Sequence, residues 1–430
     1  MLDIKYVREN LAEVKKKIAT KCQFKCEVDK VLKLDEEKRV LMGRVEMLRA
    51  EANKVSKQKG RRPDAVHRIG LCPEEGSAPE GDIARAKEIK KMLKDLEPQL
   101  AEAEENFKVE AVKLPNLPLD DVPVGKSPSE NEVIKKEGKI TLEKGKDHIE
   151  IGKVLDIIDI ERASKVSGSR FYYLKNQAAE LEFALVQYAL DIVKKEGFKP
   201  IIPPDIIKLD AAWGSGHLEA INDDAYHIKG EDSVLVGTSE QSILPLHMNE
   251  TLTDLPLRYV AFSTCFRREA GSYGKDVRGI LRVHQFDKLE MFTFCRPEDS
   301  QKEHDIIVNL EERIVSGLGL PYQVVKLSTG DIGLPSAKTI DIETWMPGEG
   351  KYRETHSSSN CTDFQARRLN IRYKSDEGNK FVHTLNGTGV AIGRMLIAIL
   401  ENYQQKDGSV KVPEVLHKYL DFKEIMNMRR

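Results

Sequence analysis

A seven-residue repeat near the start of the chain restricts its folding more than any other feature. Leu34, Leu41, Leu48 and Val55 recur at that interval, and so do Val31, Val45 and Ala52, the second series being interrupted by Lys38. Apolar residues spaced in this way form a seam along one side of a helix. Further on, Leu93, Leu100 and Phe107 form one such series, and Ile89, Leu96 and Ala103 form another. Two heptad helices separated by a break fold back on each other as an antiparallel coiled-coil hairpin. At ~1.5 Å per residue, a helix of about 28 residues projects roughly 40 Å. An arm of that shape reaches for a partner and is a poor frame for a catalyst. The break, residues 60–82, holds Pro63, Pro73, Pro79 and four glycines, and reads as a flexible tip with a basic first half and an acidic second half. Pro98, inside the second helix, lacks an N–H and crowds the carbonyl of Lys94, so a bend is expected there.

The net charge of −2 conceals a local excess. Between Arg44 and Arg68 there are eight Lys/Arg against three acids, an electrostatic footprint suited to a polyanion. A dimerisation coiled coil would show the same heptads, so the repeat alone leaves the arm's partner open. Residues 114–128, LPNLPLDDVPVGKSP, hold four prolines and no helical period, which reads as an extended linker. With 430 residues, 40% apolar and 32% charged, the chain has room for two or three water-soluble domains. No apolar run reaches the roughly 18 residues a membrane span requires, and MLDIKYVREN has no signal-peptide core. Six scattered cysteines do not make a disulfide framework, and Cys22 with Cys26 lacks a second pair for zinc. A reducing cytosol is the expected location.

The rest of the chain carries the chemistry. In TCFRREAGSYGKDVRGILRVHQFDKLE, residues 264–290, Arg267, Glu269, Arg282 and Glu290 are interleaved with apolar residues on two strand-like runs. Gly271, Gly274 and Gly279 lie in the loop between them. Arginines neutralise phosphate and carboxylate, and carboxylates receive ammonium groups or metals. A surface hairpin with ordinary ion pairs uses the same residue types, but strand alternation turns these charges to one side. Residues 178–196 carry an amphipathic helical pattern closed by Gly197, and the strand FKPIIPPD follows. In LVGTSEQS, Thr238 and Glu240 alternate, so on a strand they would share a face. YRETHSSSNCTD offers Glu354 and Ser357, a carboxylate and a hydroxyl suited to magnesium. HTLNGTGVAIGRMLIAILENYQ runs from a strand through a glycine turn into a helix. It is not a Rossmann fingerprint, and no Walker A sequence is present, so a nucleotide would be held by side chains on a sheet.

In this order, the segments resemble the arm, linker, motif 1, TSE element, motif 2 and motif 3 of the seryl-tRNA synthetase family, class II aminoacyl-tRNA synthetases, over roughly residues 1–425. The resemblance implies an α+β fold: a class II antiparallel sheet flanked by helices, preceded by an N-terminal antiparallel coiled-coil arm. It implies a tRNA-binding domain at 1–112, a linker at 113–146 and a catalytic domain at 147–430. The implied activity is ATP-dependent activation of L-serine to seryl-adenylate and transfer to the 3′ end of serine tRNA, with selenocysteine tRNA left open as a second acceptor. Arg267 and Arg394 carry over as catalytic, and Thr238, Ser239, Glu240, Glu290 and Thr388 as serine-binding. ATP falls to Arg267, Arg268, Glu269, Val283, Phe286, Glu354, Thr355, His356, Ser357 and Arg394, with magnesium at Glu354 and Ser357 and no zinc. Arg394 and Phe286 would sandwich the adenine ring. Arg44, Arg49, Lys54, Lys57, Arg61 and Arg62 would grip the long variable arm of the tRNA, and a homodimer without membrane association is implied. His356 and Thr388 stand where the family commonly has serine.

Three rivals share parts of this pattern. A ligase loading an amino acid onto a carrier protein would lack the arm. A catalytically dead paralogue would not need Arg267, Glu269, Glu290, Glu354 and Arg394. The third is the same class with another amino acid, such as threonine or proline; the threonine-specific form resembles a zinc-site design, and no Cys/His cluster supports one.

Overall fold

The computed structural model describes residues 1–60, 80–216, 224–270, 276 and 278–427. Arg61, Arg62, most of the expected tip, Gly271 and Gly274 lie outside the described residues, as does the side chain of Lys57. The chain divides into two compact units. One comprises Ile4–Leu11 and Lys25–Leu114; the other comprises Met1–Asp3, Ala12–Phe24 and Pro115–Arg430.

In the first unit a short helix α1 (Ile4–Glu9) accompanies two long ones, α3 (Val28–Gly60) and α4 (Glu80–Ala111). The heptad residues Val31, Val45, Leu48 and Val55 of α3 and Ile89 and Phe107 of α4 are buried. Ion pairs Lys30–Glu110 (2.9 Å), Arg49–Glu97 (2.8 Å) and Arg85–Glu51 (2.7 Å) show that the two helices run antiparallel. Lys38, the interruption in the seam, lies 3.7 Å from the Phe107 ring centroid and 3.6 Å from buried Asp35. The aromatic face and the carboxylate accept its charge, so the break in the pattern does not break the helix. Pro98 does not end α4 either. Its position is exposed, where water can satisfy the carbonyl it orphans.

The second unit is built on an eight-stranded sheet. Its strands are β1 (Glu132–Glu137), β2 (Lys199–Ile201), β3 (Leu257–Phe266), β4 (Gln285–Cys295), β5 (Tyr322–Lys326), β6 (Lys338–Met346), β7 (Lys351–Asn360) and β8 (His383–Ala391). They lie in the order β1-β5-β6-β7-β8-β4-β3-β2, antiparallel except for the β2–β3 pair. The helices that position the site are α2 (Leu11–Thr20), α5 (His148–Val154), α6 (Gln177–Val193), α7 (Glu240–Ile243), α8 (Ser300–Gly317) and α9 (Ile392–Asn402). One face of the sheet buries Leu289, Met291, Leu385 and Val390 against Leu181 and Leu185 of α6, Ile307 and Ile314 of α8, and Met395 and Leu396 of α9. Each such side chain contributes about 1.5–3 kcal/mol. On the other face, Phe292 and Phe294 pack with Ile243, Leu244 and Leu369 and close one end of an open cleft.

The segment after residue 114 has little regular structure before β1, yet it is integral to this unit. Asn116 is buried and its amide donates to the carbonyls of Pro335 (2.9 Å) and Cys361 (2.8 Å). β1 is an edge strand on β5, with every residue exposed. Its lysines, glutamates and register shift discourage pairing with a further strand.

Candidate active site

Period-two alternation puts Phe286, Lys288 and Glu290 of β4 on the cleft side while Leu289 and Met291 enter the core. On β8 the same rule turns Asn386 and Thr388 into the cleft. A bulge then changes the phase: Leu289 faces Val390 but Glu290 faces Thr388, so Gly389 is an extra residue. Val390 therefore stays in the core, and Ala391, Gly393 and Arg394 line the cleft as β8 passes into α9. A second bulge lies between β6 and β7, where Ile342 faces His356 and Glu343 faces Glu354. Thr355 is the extra residue, which lets Glu354 join Ser357 and Ser359 on the cleft side.

The cleft holds a cavity of about 420 Å³. Its wall includes Thr238, Glu240, Glu290 and Thr388, which neighbour one another, and also Arg267, Glu269, Val283, Phe286, Glu354, Thr355, Ser357 and Arg394. Sequence reasoning singled out all of these and also Arg282, which lines the same wall. Ser239, Arg268 and His356 are not in that wall. Ser239 is fully buried, Arg268 is exposed, and His356 follows the alternation of β7 to the other side, with Nδ1 3.0 Å from Thr355 Oγ1. Burial pushes the His356 imidazole down to about 4, which keeps it neutral.

Three local expectations are corrected. Arg267, Glu269 and Arg282 do not sit on strands: β3 ends at Phe266 and β4 begins at Gln285, so of that set only Glu290 is placed by alternation. Thr238 and Glu240 do not share a strand: the strand ends at Leu235, Gly237 and Thr238 form a bend, and Glu240 begins α7. Gln241 Oε1 accepts from Gly237 N at 2.8 Å and fixes that bend. Motif 3 has no glycine turn either, since Gly387 and Gly389 lie within β8. A Cβ at Gly387 would stand 2.2 Å from Ile307 Cγ2, so the glycine is there for close packing of α8.

The charged groups of the cavity are paired with one another. Arg394 Nη1 lies 2.8 Å from Glu354 Oε1, Arg282 Nη1 2.7 Å from Glu269 Oε2, and Lys288 Nζ 2.6 Å from Glu290 Oε2. The last contact is close but out of line, and that oxygen has no aligned hydrogen-bond donor. Burial pushes the Glu290 carboxyl up against the opposing charge of Lys288. Burial would raise Glu354 too, but Arg394 beside it, with Arg267 and Arg282 beyond, holds it below the usual carboxylate range. Arg267 sits 5.2 Å from the Phe286 ring centroid, with Nε donating to Gly237 O at 3.0 Å. Glu240 accepts from Gln365 Nε2 at 2.6 Å, which aims its carboxylate. Lys288, Gln241, Asn386, Ser336 and Ser359 also line the cavity and were not anticipated. Lys288 was within reach of the alternation that gave Phe286 and Glu290; Ser336 comes from a loop with no local signal.

Such a cavity, with three guanidinium groups and a cluster of two carboxylates and two hydroxyls in its wall, can take a nucleotide beside a small amino acid. Comparison with known proteins agrees. The family model described as the seryl-tRNA synthetase N-terminal domain matches residues 1–118, and that of the tRNA synthetase class II core domain (G, H, P, S and T) matches residues 226–403. A serine–tRNA ligase of Treponema denticola is 43% identical over 434 residues, covering 99% of this chain and 100% of its own. Among solved structures, the ATP complex of seryl-tRNA synthetase from Pyrococcus horikoshii superposes with a TM-score of 0.87 at 40% identity, covering 100% of both chains. The AMP complex of the cytoplasmic serine–tRNA ligase of Naegleria fowleri gives 0.83 at 30% identity, covering 100% of this chain and 99% of the other.

Proposed function

Because the chain belongs to the seryl-tRNA synthetase family, we propose a division of labour among the residues of this cavity for a known reaction. It is a class II serine–tRNA ligase: it activates L-serine with ATP and transfers the seryl group to the 3′ end of tRNA. In the first step a serine carboxylate oxygen bonds to the α-phosphorus, the bond to the β-phosphate oxygen breaks, and pyrophosphate leaves. In the second, the terminal ribose hydroxyl of the tRNA attacks the seryl carbonyl and AMP leaves. Both nucleophiles belong to substrates, so the protein positions them and neutralises charge.

The observation that carries the assignment is the convergence of Thr238, Glu240, Glu290 and Thr388 in the wall of one cavity that also holds Arg267, Glu354, Phe286 and Arg394. In the proposed roles, Glu240 and Glu290 take the ammonium group of serine, and Thr238 and Thr388 its polar edge. A site that hydrogen-bonds a hydroxyl rejects the analogue lacking it, because its own polar groups would be left unpaired. Arg267 bridges the serine carboxylate and the α-phosphate. Phe286 and Arg394 hold the adenine between them. Magnesium fits Glu354 and Ser357, hard oxygen donors in one wall, with the Asp341 carboxyl opposite Ser357 and its Oδ1 buried without a hydrogen-bond partner. When bound it neutralises phosphate charge.

The arm residues Arg44, Arg49, Lys54, Lys57, Arg61 and Arg62 are proposed to meet the phosphates of the long variable arm, as the coiled-coil tRNA-binding domain at 1–112 ahead of the 113–146 connection and the 147–430 catalytic domain. A homodimer is supported by Phe183 and Ile202 in the motif 1 region, which are 72% and 85% exposed. A cytoplasmic location fits Cys22, Cys26, Cys265, Cys295 and Cys361, all free thiols. Among the described residues no helix is long and apolar enough to cross a membrane.

Pyrophosphate exchange with each of the twenty amino acids tests the assignment. Serine alone is expected to support exchange, and Arg267→Ala is expected to lower it about 100-fold or more without unfolding the protein. Normal exchange by that variant, or exchange with a different amino acid as the preferred substrate, refutes the assignment.

A further inference from the structure

The loop that follows β3 returns to β4 through Gly279, Ile280 and Leu281, and its return is fastened from behind by His148. The imidazole is buried at the start of α5. Its Nδ1 lies 2.9 Å from Glu401 Oε1, and its Nε2 faces Ile280 N at 3.2 Å. A backbone N–H can only donate, so Nε2 is the acceptor and Nδ1 carries the proton. Glu401 is also buried and takes two further backbone donors, His148 N at 3.0 Å and Gly348 N at 2.8 Å. Its charge is therefore satisfied, and its orientation is fixed by three N–H groups.

Gly279 is shaped for this contact. Its φ is +79°, and a Cβ there would stand 2.1 Å from His148 Nε2. Beyond the contact, Ile280, Leu281, Arg282 and Val283 line the cavity beside Phe286. The carbonyl of Ile280 lies 3.3 Å from where a Cβ on Gly393 would stand, immediately before Arg394. Helix α9 thus carries a cavity arginine near its first turn and the anchor of His148 near its last.

We propose that His148 is a positioning residue for the nucleotide end of the cavity: linked to Glu401, it accepts from Ile280 N–H and fixes the returning root of the 267–284 loop. The inference rests on the proposed nucleotide site. His148 does not line the cavity, so its effect passes through Ile280 to Arg282 and Val283. Thr238, Glu240, Glu290 and Thr388 are held by the bend before α7, by α7 and by the paired interiors of β4 and β8, so the serine site does not lean on this contact.

Serine-dependent ATP–pyrophosphate exchange by the full-length protein tests this, with KM determined separately for ATP and serine. His148→Phe removes both hydrogen bonds; displacing reacting groups by about 1 Å costs up to ~100-fold, and a loosened root is expected to raise KM for ATP about tenfold while KM for serine changes less than about twofold. His148→Gln restores a donor and an acceptor on one planar group and should recover ATP KM to within about threefold. If His148→Phe does not fold, Gly279→Ala gives the same reading, since its methyl group must push the imidazole off Ile280 N. An unchanged KM for ATP overturns the proposal. So does a parallel rise for both substrates that His148→Gln fails to correct. Failure of the nucleotide assignment itself would look different: the wild-type protein would show no serine-dependent exchange.

Discussion

Lys21 offers a test of how much a buried charge costs this fold. It follows α2, is fully buried, and its ammonium faces four backbone carbonyls: Gly333 (2.7 Å), Ser336 (3.0 Å), Asn116 (3.2 Å) and Leu334 (3.3 Å). Burial pulls its pKa from 10.5 down to about 7, with Cys361 nearby pulling the other way. At about 1.4 kcal/mol per pH unit, that gap amounts to roughly 5 kcal/mol carried by the protonated folded state. The sign follows from proton counts. Between pH 7 and 10.5 the unfolded lysine holds a proton that the folded one has released, so raising the pH favours the folded state. From pH 7 to pH 9 the expected gain is about 2 kcal/mol.

Lys21→Met keeps the length of the side chain and removes the titration. It also takes the donor from the carbonyls of Asn116 and Ser336, at about 1–3 kcal/mol per unsatisfied group, while Leu334 O keeps Asn116 N and Gly333 O keeps Ser336 N, so the two proteins will be close in stability at pH 7. The slope, not the offset, is the test. Trp213 and Trp345 are the only tryptophans and both belong to the sheet-containing unit, so guanidinium unfolding followed by tryptophan fluorescence reports on that unit. Groups common to both proteins cancel in the difference. Wild type should gain about 2 kcal/mol on Lys21→Met between pH 7 and pH 9. A difference that stays flat or falls over that range refutes the reasoning.

Gly387→Ala places a Cβ 2.2 Å from Ile307 Cγ2 and 2.8 Å from Glu311 Oε1. It should cost about 1–3 kcal/mol in guanidinium unfolding and raise KM for serine more than KM for ATP, because Asn386 and Thr388 flank the displaced backbone. Glu354→Gln removes the partner of Arg394 and the proposed magnesium ligand. Exchange should fall about tenfold to 100-fold, with the magnesium concentration for half-maximal rate shifted upward. An unshifted magnesium dependence would remove Glu354 from that role.

What the sequence disclosed depended on whether the signal was periodic. The seams at Leu48, Val55, Ile89 and Phe107 give the two long helices directly, because a heptad states both the element and its buried side. The arginines and carboxylates around β3 and β4 were legible as a cluster, but only Glu290 owes its direction to alternation, since Arg267 and Glu269 follow the end of β3 and Arg282 precedes β4. The same rule would turn Glu354 away from Ser357, although its chemistry and the resemblance named it; it reaches the cleft only through the extra residue Thr355. Alternation also misplaced Thr238 and Glu240 on a strand that ends at Leu235. Bulges and capped bends are set by cross-strand packing and side-chain hydrogen bonds such as Gln241 to Gly237, which leave no period. Ser336, Lys21 and His148 lie still further from view. Each acts through residues more than a hundred positions away in the chain or on a loop shaped by them.

The pairing inside the cavity suggests how substrates enter at low cost. Arg394 rests on Glu354, Arg282 on Glu269 and Lys288 on Glu290, so no charge facing the cavity from these six residues stands alone before binding. On the proposed reading, the triphosphate takes over Arg282, the adenine ring takes over Arg394, and the released carboxylates turn to magnesium, the adenine amino group and the serine ammonium group. Each arriving charge then exchanges one ion pair for another, instead of stripping water from an isolated ion. The same logic bears on Glu290: burial pushes its carboxyl up, Lys288 beside it opposes the rise, and an arriving ammonium group moves the balance further toward the carboxylate. A serine analogue without its amine would leave that balance unsettled and should bind far more weakly than the loss of one surface contact implies.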